Sequence, residues 1–207
     1  MRRLYLIRHA QTVWNGENRL QGHSDQPLSR LGKGQATRLG ARFAVHHLRG
    51  IVTSALQRSR QTAHHIASGN GHAVQPVIEP ELAEMHFGVW EGLTPEEIDA
   101  RFDGAYERWR VQPSAVVIPG AEPLDAFRAR VRRALERIVA ALPEGESVVV
   151  SHGGVIAAAL ADLLDADYDA LLLRRLRLDN AGVTALEFGA ASFDCAQDAL
   201  PSASRGT

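Results

Sequence analysis

Two histidines stand where apolar, strand-like runs end: His9 after Leu4-Tyr5-Leu6-Ile7-Arg8, and His152 after Val148-Val149-Val150-Ser151. An imidazole at the carboxyl end of a buried strand can attack as a nucleophile, ligate a metal, or hydrogen bond within the core. Arg8 beside His9 disfavours a cation and favours an anion, because a guanidinium pairs with phosphate through charge-assisted hydrogen bonds. Arg58 adds a further cation near the start of a helix that directly follows a strand. Gly153 and Gly154, after His152, let the backbone approach a ligand, and the helix N-terminus they open favours negative charge. Cations gathered in one small volume call for a compensating dianion, and phosphate is the natural one.

An attacking imidazole must be neutral, and its ordinary pKa near ~6.5 leaves part of it protonated. Positive neighbours disfavour the imidazolium, so Arg8, Arg58 and His152 are expected to push the pKa of His9 down. A backbone carbonyl in the following loop would have to hold the other ring nitrogen. Phosphoryl transfer then requires positioning, charge stabilisation and a proton for the departing alkoxide. Glu84, in a loop with Gly88 and two aromatics, is the expected acid. Glu81 and Glu91 are its rivals, and both read more simply as solvent-exposed loop carboxylates.

The elements that must position these groups follow from periodicity. Residues 2–7 read as a strand buried on both faces. Ser29 N-caps a helix to about His46, with Leu31, Ala36, Leu39 and Phe43 on one side. Gly50 to Ser54 reads as a second strand, followed by a helix from Ala55 to about Ser68 that puts Arg58 and Thr62 one turn apart. Val74 to Ile78 suggests a third strand, and Glu81 to Gly92 a loop or short hairpin. Thr94-Pro95-Glu96-Glu97 is a capping box with proline at the first helical position. The looser stretch that follows makes residues 93–123 an excursion above the core. Helices are expected at 123–142 and from Val155 to Leu164, strands at 147–151, Leu176 to Leu178 and Val183 to Phe188. Strands alternating with helices predict an α/β layered, mostly parallel sheet.

The composition places these elements in one ordinary domain over residues 1–197, with a Ser-, Ala- and Gly-rich tail at 198–207 read as disordered. The 207 residues carry 23 Lys plus Arg against 24 Asp plus Glu, so no global field attracts nucleic acid or a membrane, and anion recognition must be local. The single cysteine, Cys195, excludes an internal disulfide and a cysteine-based zinc site. The histidines at 46–47, 64–65 and 72 read as surface or boundary residues, so no metal is expected. The chain enters its first strand without a signal peptide, which points to the cytoplasm.

With these residues in view the chain resembles the histidine phosphatase superfamily, phosphoglycerate mutase-like branch. The resemblance rests on Arg8-His9-Ala10-Gln11-Thr12 with Asn15, on Arg58 in Ser54-Ala55-Leu56-Gln57-Arg58-Ser59-Arg60-Gln61-Thr62-Ala63, on Glu84 in Glu84-Met85-His86-Phe87-Gly88-Val89-Trp90-Glu91-Gly92, and on Ser151-His152-Gly153-Gly154. It covers roughly residues 3 to 190. It implies a three-layer α/β/α sandwich, a phosphohistidine on His9, and no cofactor. It assigns phosphate binding to Arg8, Arg58 and His152, with Asn15 and the Gln21-Gly22 backbone assisting, places Thr12 near the phosphate, and makes Glu84 the proton donor. Substrate contacts are expected also from His86 and Gly153, with His23, Trp109 and Arg110 as weaker specificity candidates.

Ala10 stands where the family usually has glycine, which bears on the shape of the loop. The segment from Glu84 to His152 is compact compared with cofactor-dependent phosphoglycerate mutases, which implies water can reach the phosphohistidine. The expected activity is hydrolysis of a small phosphorylated metabolite, of sugar phosphate or phosphoglycerate type. A phosphoglycerate mutase and a catalytically silent phospho-ligand binding module are the alternatives. A homodimer stands among the assemblies open to it.

Overall fold

The computed structural model describes residues 1–71, 74–170 and 176–188. A five-stranded sheet runs through its centre in the order β3-β2-β4-β1-β5. The strands are β1 (Arg2–Arg8), β2 (Leu48–Thr53), β3 (Val77–Ile78), β4 (Gly145–Ser151) and β5 (Val183–Phe188). β1, β4, β2 and β3 are parallel, and β5 pairs antiparallel with β1. This is the mostly parallel α/β sheet that the alternating pattern predicts.

Side chains alternate across a strand, so an apolar run serves two cores at once. Leu4 and Leu6 of β1 pack with Phe127, Val131 and Ile138 of α6 (Leu124–Ala141) and with Val155 and Ile156 of α7 (Gly153–Leu163). Tyr5 and Ile7 face the other way, with Leu39 and Phe43 of α2 (Arg30–Phe43) and Ala63 and Ile66 of α3 (Gln57–Asn70). Helices thus cover both faces, giving the three-layer sandwich. A third, aromatic-rich cluster around Trp90, Ile98, Ala105 and Ile118 seats α4 (Pro95–Arg101) and α5 (Ala105–Val111), the excursion above the core.

Local signals behave as their chemistry dictates. Ser29 caps α2 through Gly32 N, and Thr94 with Glu97 forms the reciprocal capping box of α4. Two expectations are corrected. The third strand is only Val77–Ile78, exposed at the sheet edge, since Pro76 has no N–H to extend the ladder. The stretch from Leu176 to Leu178 is not a strand. Its two leucines rest on the core, and Leu178 O accepts from Arg8 Nη1 instead of from a neighbouring strand. Between Glu81 and Gly92 the chain takes the loop form of the two expected, with 3-10 turns at Pro80–Leu82 and Gly88–Trp90. Cys195, His72 and the 198–207 tail lie outside the described residues. Among the described residues, no helix is long and apolar enough to cross a membrane.

Candidate active site

The paired register of β1 and β4 sets Arg8 opposite Ser151, and His9 N donates to Ser151 O at 2.8 Å. The two strands therefore deliver His9 and His152 side by side, ring centroids 5.2 Å apart. The chains leaving them run to helices on opposite faces of the sheet, which opens the crevice where α/β sheets bind ligands. β2 ends alongside, and α3 carries Arg58 in, buried, with Nε 3.3 Å from His152 Nδ1.

His9 is buried, and its Nδ1 lies 2.8 Å from Ala10 O. A carbonyl only accepts, so Nδ1 carries the proton and Nε2 of the neutral ring keeps its lone pair. This is the carbonyl that the sequence argument required. The imidazole is held well below its ordinary pKa, first by burial, then by the charges of Arg58 and Arg8. Burial, more than neighbouring charge, keeps this imidazole neutral, which revises the order of causes expected above. His152 is also pushed well down, by burial and by Arg58. It is fully buried, accepts from Arg58 Nε at Nδ1, and has Nε2 2.7 Å from Ser54 Oγ. Two neutral imidazoles and two guanidiniums meet here.

Arg58 is fixed by two carbonyls, Gly22 O at 2.7 Å and Ser24 O at 3.0 Å. Burial brings its pKa down to about 10, which leaves it charged at neutral pH. The 22–24 loop is itself held by Glu91, whose carboxylate accepts from His23 N, Ser24 N, Ser24 Oγ and Phe87 N. Burial opposes ionisation of Glu91, but these hydrogen bonds outweigh it and hold its pKa below the usual value. Glu91 is thus a partly buried brace, not the solvent-exposed carboxylate expected from sequence. Gly22 has φ +51°, and a Cβ there would stand 2.1 Å from Glu91 Oε1, so side chains are excluded on both counts. Arg8 has a buried Nε with no hydrogen-bond partner in the protein. Such an orphaned donor is costly unless a ligand satisfies it.

Glu84 faces this group from the third side. Its Oε2 accepts from Gly154 N at 3.1 Å, at the amino end of α7, and Oε1 accepts from Met85 N. Arg130 clamps the loop behind it, donating to the carbonyls of Glu81, Ala83 and Glu84 while paired with Glu122. Glu81 itself pairs with Arg133 and Arg137 on the surface. Gly154, more than Gly153, needs to be glycine: a Cβ at 154 would stand 2.4 Å from Glu84 Oε1, whereas one at 153 makes ordinary contact with Arg8. Gly154→Ala is expected to leave the melting temperature nearly unchanged, because a flexible side-chain end can move aside. Displacing Glu84 by that margin should lower kcat about 100-fold, checked by steady-state kinetics beside a melting curve.

The cavity these residues enclose has a volume of about 360 Å³ and is lined by Arg8, His9, Asn15, Gln21, Gly22, Arg58 and Glu84 together with Asn18, Arg19, Leu20, Phe87 and Asn180. His152 is fully buried, and neither it nor Gly153 is among the lining residues. Thr12 is buried as the N-cap of α1 (Val13–Gly16), with Oγ1 2.9 Å from Gln21 Oε1. His86 lies at the periphery, its Nδ1 3.0 Å from Gly120 O and its ring against His23, whose Nε2 is 2.8 Å from Glu84 O. Trp109 packs into the aromatic cluster and Arg110 pairs with Glu107, neither on the cavity wall. Ala10 settles the loop question: its backbone is not left-handed, its N donates to Thr62 Oγ1, and its methyl packs with Leu28 and Ala36. Sequence reasoning missed Asn180, whose Nδ2 donates to His9 O at 3.1 Å and Asn15 Oδ1 at 3.2 Å. The only sequence signal was its place in the polar Asp179-Asn180-Ala181-Gly182 turn. Asn18, Arg19, Leu20 and Phe87 were missed as well.

Crevice, buried imidazole pair and guanidiniums describe one class of protein, and the chain belongs to the histidine phosphatase superfamily (branch 1), whose family model matches residues 4–197. Among curated proteins it is 35% identical to "Probable phosphoglycerate mutase GpmB" of Serratia proteamaculans, over 90% of this chain and 85% of that one. Among solved structures it is similar to a mycobacterial glucosyl-3-phosphoglycerate phosphatase complexed with VO3, at TM-score 0.81 and 34% identity over 90% and 91% of the two chains. It is also similar to the α-ribazole phosphatase of Shigella flexneri, at TM-score 0.80 and 27% identity over 91% of each.

Proposed function

We propose that this chain is a phosphomonoesterase that works through a phosphohistidine on His9. One observation carries the reading: Ala10 O binds His9 Nδ1, which leaves a bare Nε2 in a cavity that also holds Arg8, with its unsatisfied Nε, and Arg58. Arg8 and Arg58 bind the phosphate of the ester. Nε2 attacks the phosphorus in line as the P–O bond to the alcohol breaks. Glu84 gives its proton to that departing oxygen, which leaves Glu84 a carboxylate beside the phosphohistidine. The same carboxylate then takes a proton from an incoming water, whose oxygen bonds to phosphorus while the P–N bond breaks. Inorganic phosphate leaves, and both His9 and Glu84 return to their starting states. Preorganised charge supplies most of the acceleration in such transfers, because the protein contributes no other covalent chemistry. His152 serves by holding Arg58 at its Nε and by packing against His9.

A mutase reading is favoured by the names of the curated relatives. The solved phosphatases, matched along nearly their whole length, favour hydrolysis. The two are separated by incubating the protein with 3-phosphoglycerate primed by bisphosphoglycerate, and with a panel of phosphate esters. Free phosphate without isomerised phosphoglycerate is expected. Isomerisation exceeding phosphate release would make the chain a mutase, and neither product would make it a binding module.

A further inference from the structure

Beyond its phosphate end, the cavity wall describes the alcohol that is released. Besides the groups given to the phosphate, the lining consists of Asn18, Arg19, Leu20, Phe87 and Asn180, with Glu84 sharing the wall. Arg19 is its one cation among the described residues, and its charge is already matched. Nη1 donates to Glu97 Oε2 at 2.8 Å and to Gly92 O at 2.6 Å, while Nε donates to Glu17 Oε2 at 3.1 Å. Arg8 and Arg58 are committed to the phosphate under the phosphomonoesterase reading. A carboxylate on the alcohol would therefore enter a site with no uncommitted cation, beside an arginine already paired with the carboxylates of Glu17 and Glu97. An unpaired charge in such a place is disfavoured, and like charges set together are worse. Hydroxyl groups face no such penalty, since amide side chains both donate to and accept from them.

We infer, resting on the phosphomonoesterase reading, that the preferred substrate is the phosphate ester of an uncharged, hydroxylated alcohol, and that the pairing of Arg19 with Glu17 and Glu97 excludes carboxylate-bearing esters. This separates the chain from a phosphoglycerate-directed enzyme while leaving its chemistry the same.

The matched pair that isolates the point is glycerol 3-phosphate and 3-phosphoglycerate, which differ by a hydroxymethyl group in place of a carboxylate. With phosphate release as the readout, kcat/KM is expected to be about tenfold or more higher for glycerol 3-phosphate, a modest share of what a like-charge contact costs. The double variant Glu17→Gln, Glu97→Gln removes both matching charges. The amide introduced at position 97 retains an oxygen to accept from Thr94 N, which Glu97 Oε2 now does at 3.0 Å. In that variant the preference should narrow several-fold through a gain on 3-phosphoglycerate, with 4-nitrophenyl phosphate hydrolysis unchanged. Equal or better use of 3-phosphoglycerate by the wild type would overturn the inference and leave the phosphomonoesterase standing. An unchanged preference in the double variant would overturn the charge-matching cause. Absence of phosphate from all three esters would instead defeat the phosphomonoesterase reading itself, and this inference with it.

Discussion

His9→Ala is expected to abolish turnover, lowering kcat roughly 10⁴–10⁶-fold, as removal of a covalent nucleophile does elsewhere. The size of the effect follows from the site's construction. Three features around His9 present one nitrogen: Ala10 O fixes the tautomer, burial keeps the ring neutral, and Asn180 holds the His9 carbonyl. With the ring gone, Arg8 and Arg58, the groups proposed to bind phosphate, remain, so inorganic phosphate should still protect the variant against thermal unfolding. Retained protection with lost turnover identifies a chemical role. A variant that keeps a tenth of its activity would show that another group attacks phosphorus.

Glu84→Gln should divide substrates by the acidity of their alcohols. For sugar or glycerol phosphates, whose alkoxides need a proton as they leave, kcat is expected to fall roughly 10²–10⁴-fold. For 4-nitrophenyl phosphate, whose leaving group is stable as an anion, the formation of phosphohistidine should be little affected. The introduced amide can still accept from Gly154 N through its oxygen. The backbone N–H of Met85, which now donates to Glu84 Oε1 at 3.0 Å, would then face an NH2 group, so a small loss of stability is expected as well. A loss of stability alone lowers the active fraction for all substrates equally. Only removal of the acid separates them, and stopped-flow comparison of the burst with the two ester types reads that separation. Equal losses would take Glu84 out of the acid role.

The parts of this site that the sequence reveals are those announced by a change of residue type at a strand end. His9 with Arg8, and His152 with its glycines, interrupt apolar runs, and their strands lie side by side in the sheet. Arg58 was legible because it stands near the start of a helix that directly follows a strand. The sandwich was legible too, since runs such as Leu4 to Ile7 are apolar on both faces and need a helix layer on each. What stayed hidden depends on the chain's return from far away. Asn180 reaches His9 from a turn 171 residues later, and no local pattern connects the two. Glu91 read as an exposed loop acid because nothing in its neighbourhood shows that it would accept four hydrogen bonds from residues 23, 24 and 87. Burial as the leading cause of His9's low pKa was equally out of reach, since it comes from elements packed around the ring. The strand expected at Leu176 to Leu178 failed because its apolar alternation is real but one of its carbonyls is taken by Arg8.

The most direct test is to quench a rapid reaction of the wild-type protein with a ³²P-labelled ester and locate the label. An acid-labile, alkali-stable phosphoryl group is expected on His9, attached at Nε2 and not Nδ1, and absent from His9→Ala. Label at Nδ1, label on another residue, or steady phosphate release with no protein-bound label at any time would contradict a neutral His9 that attacks through its free nitrogen.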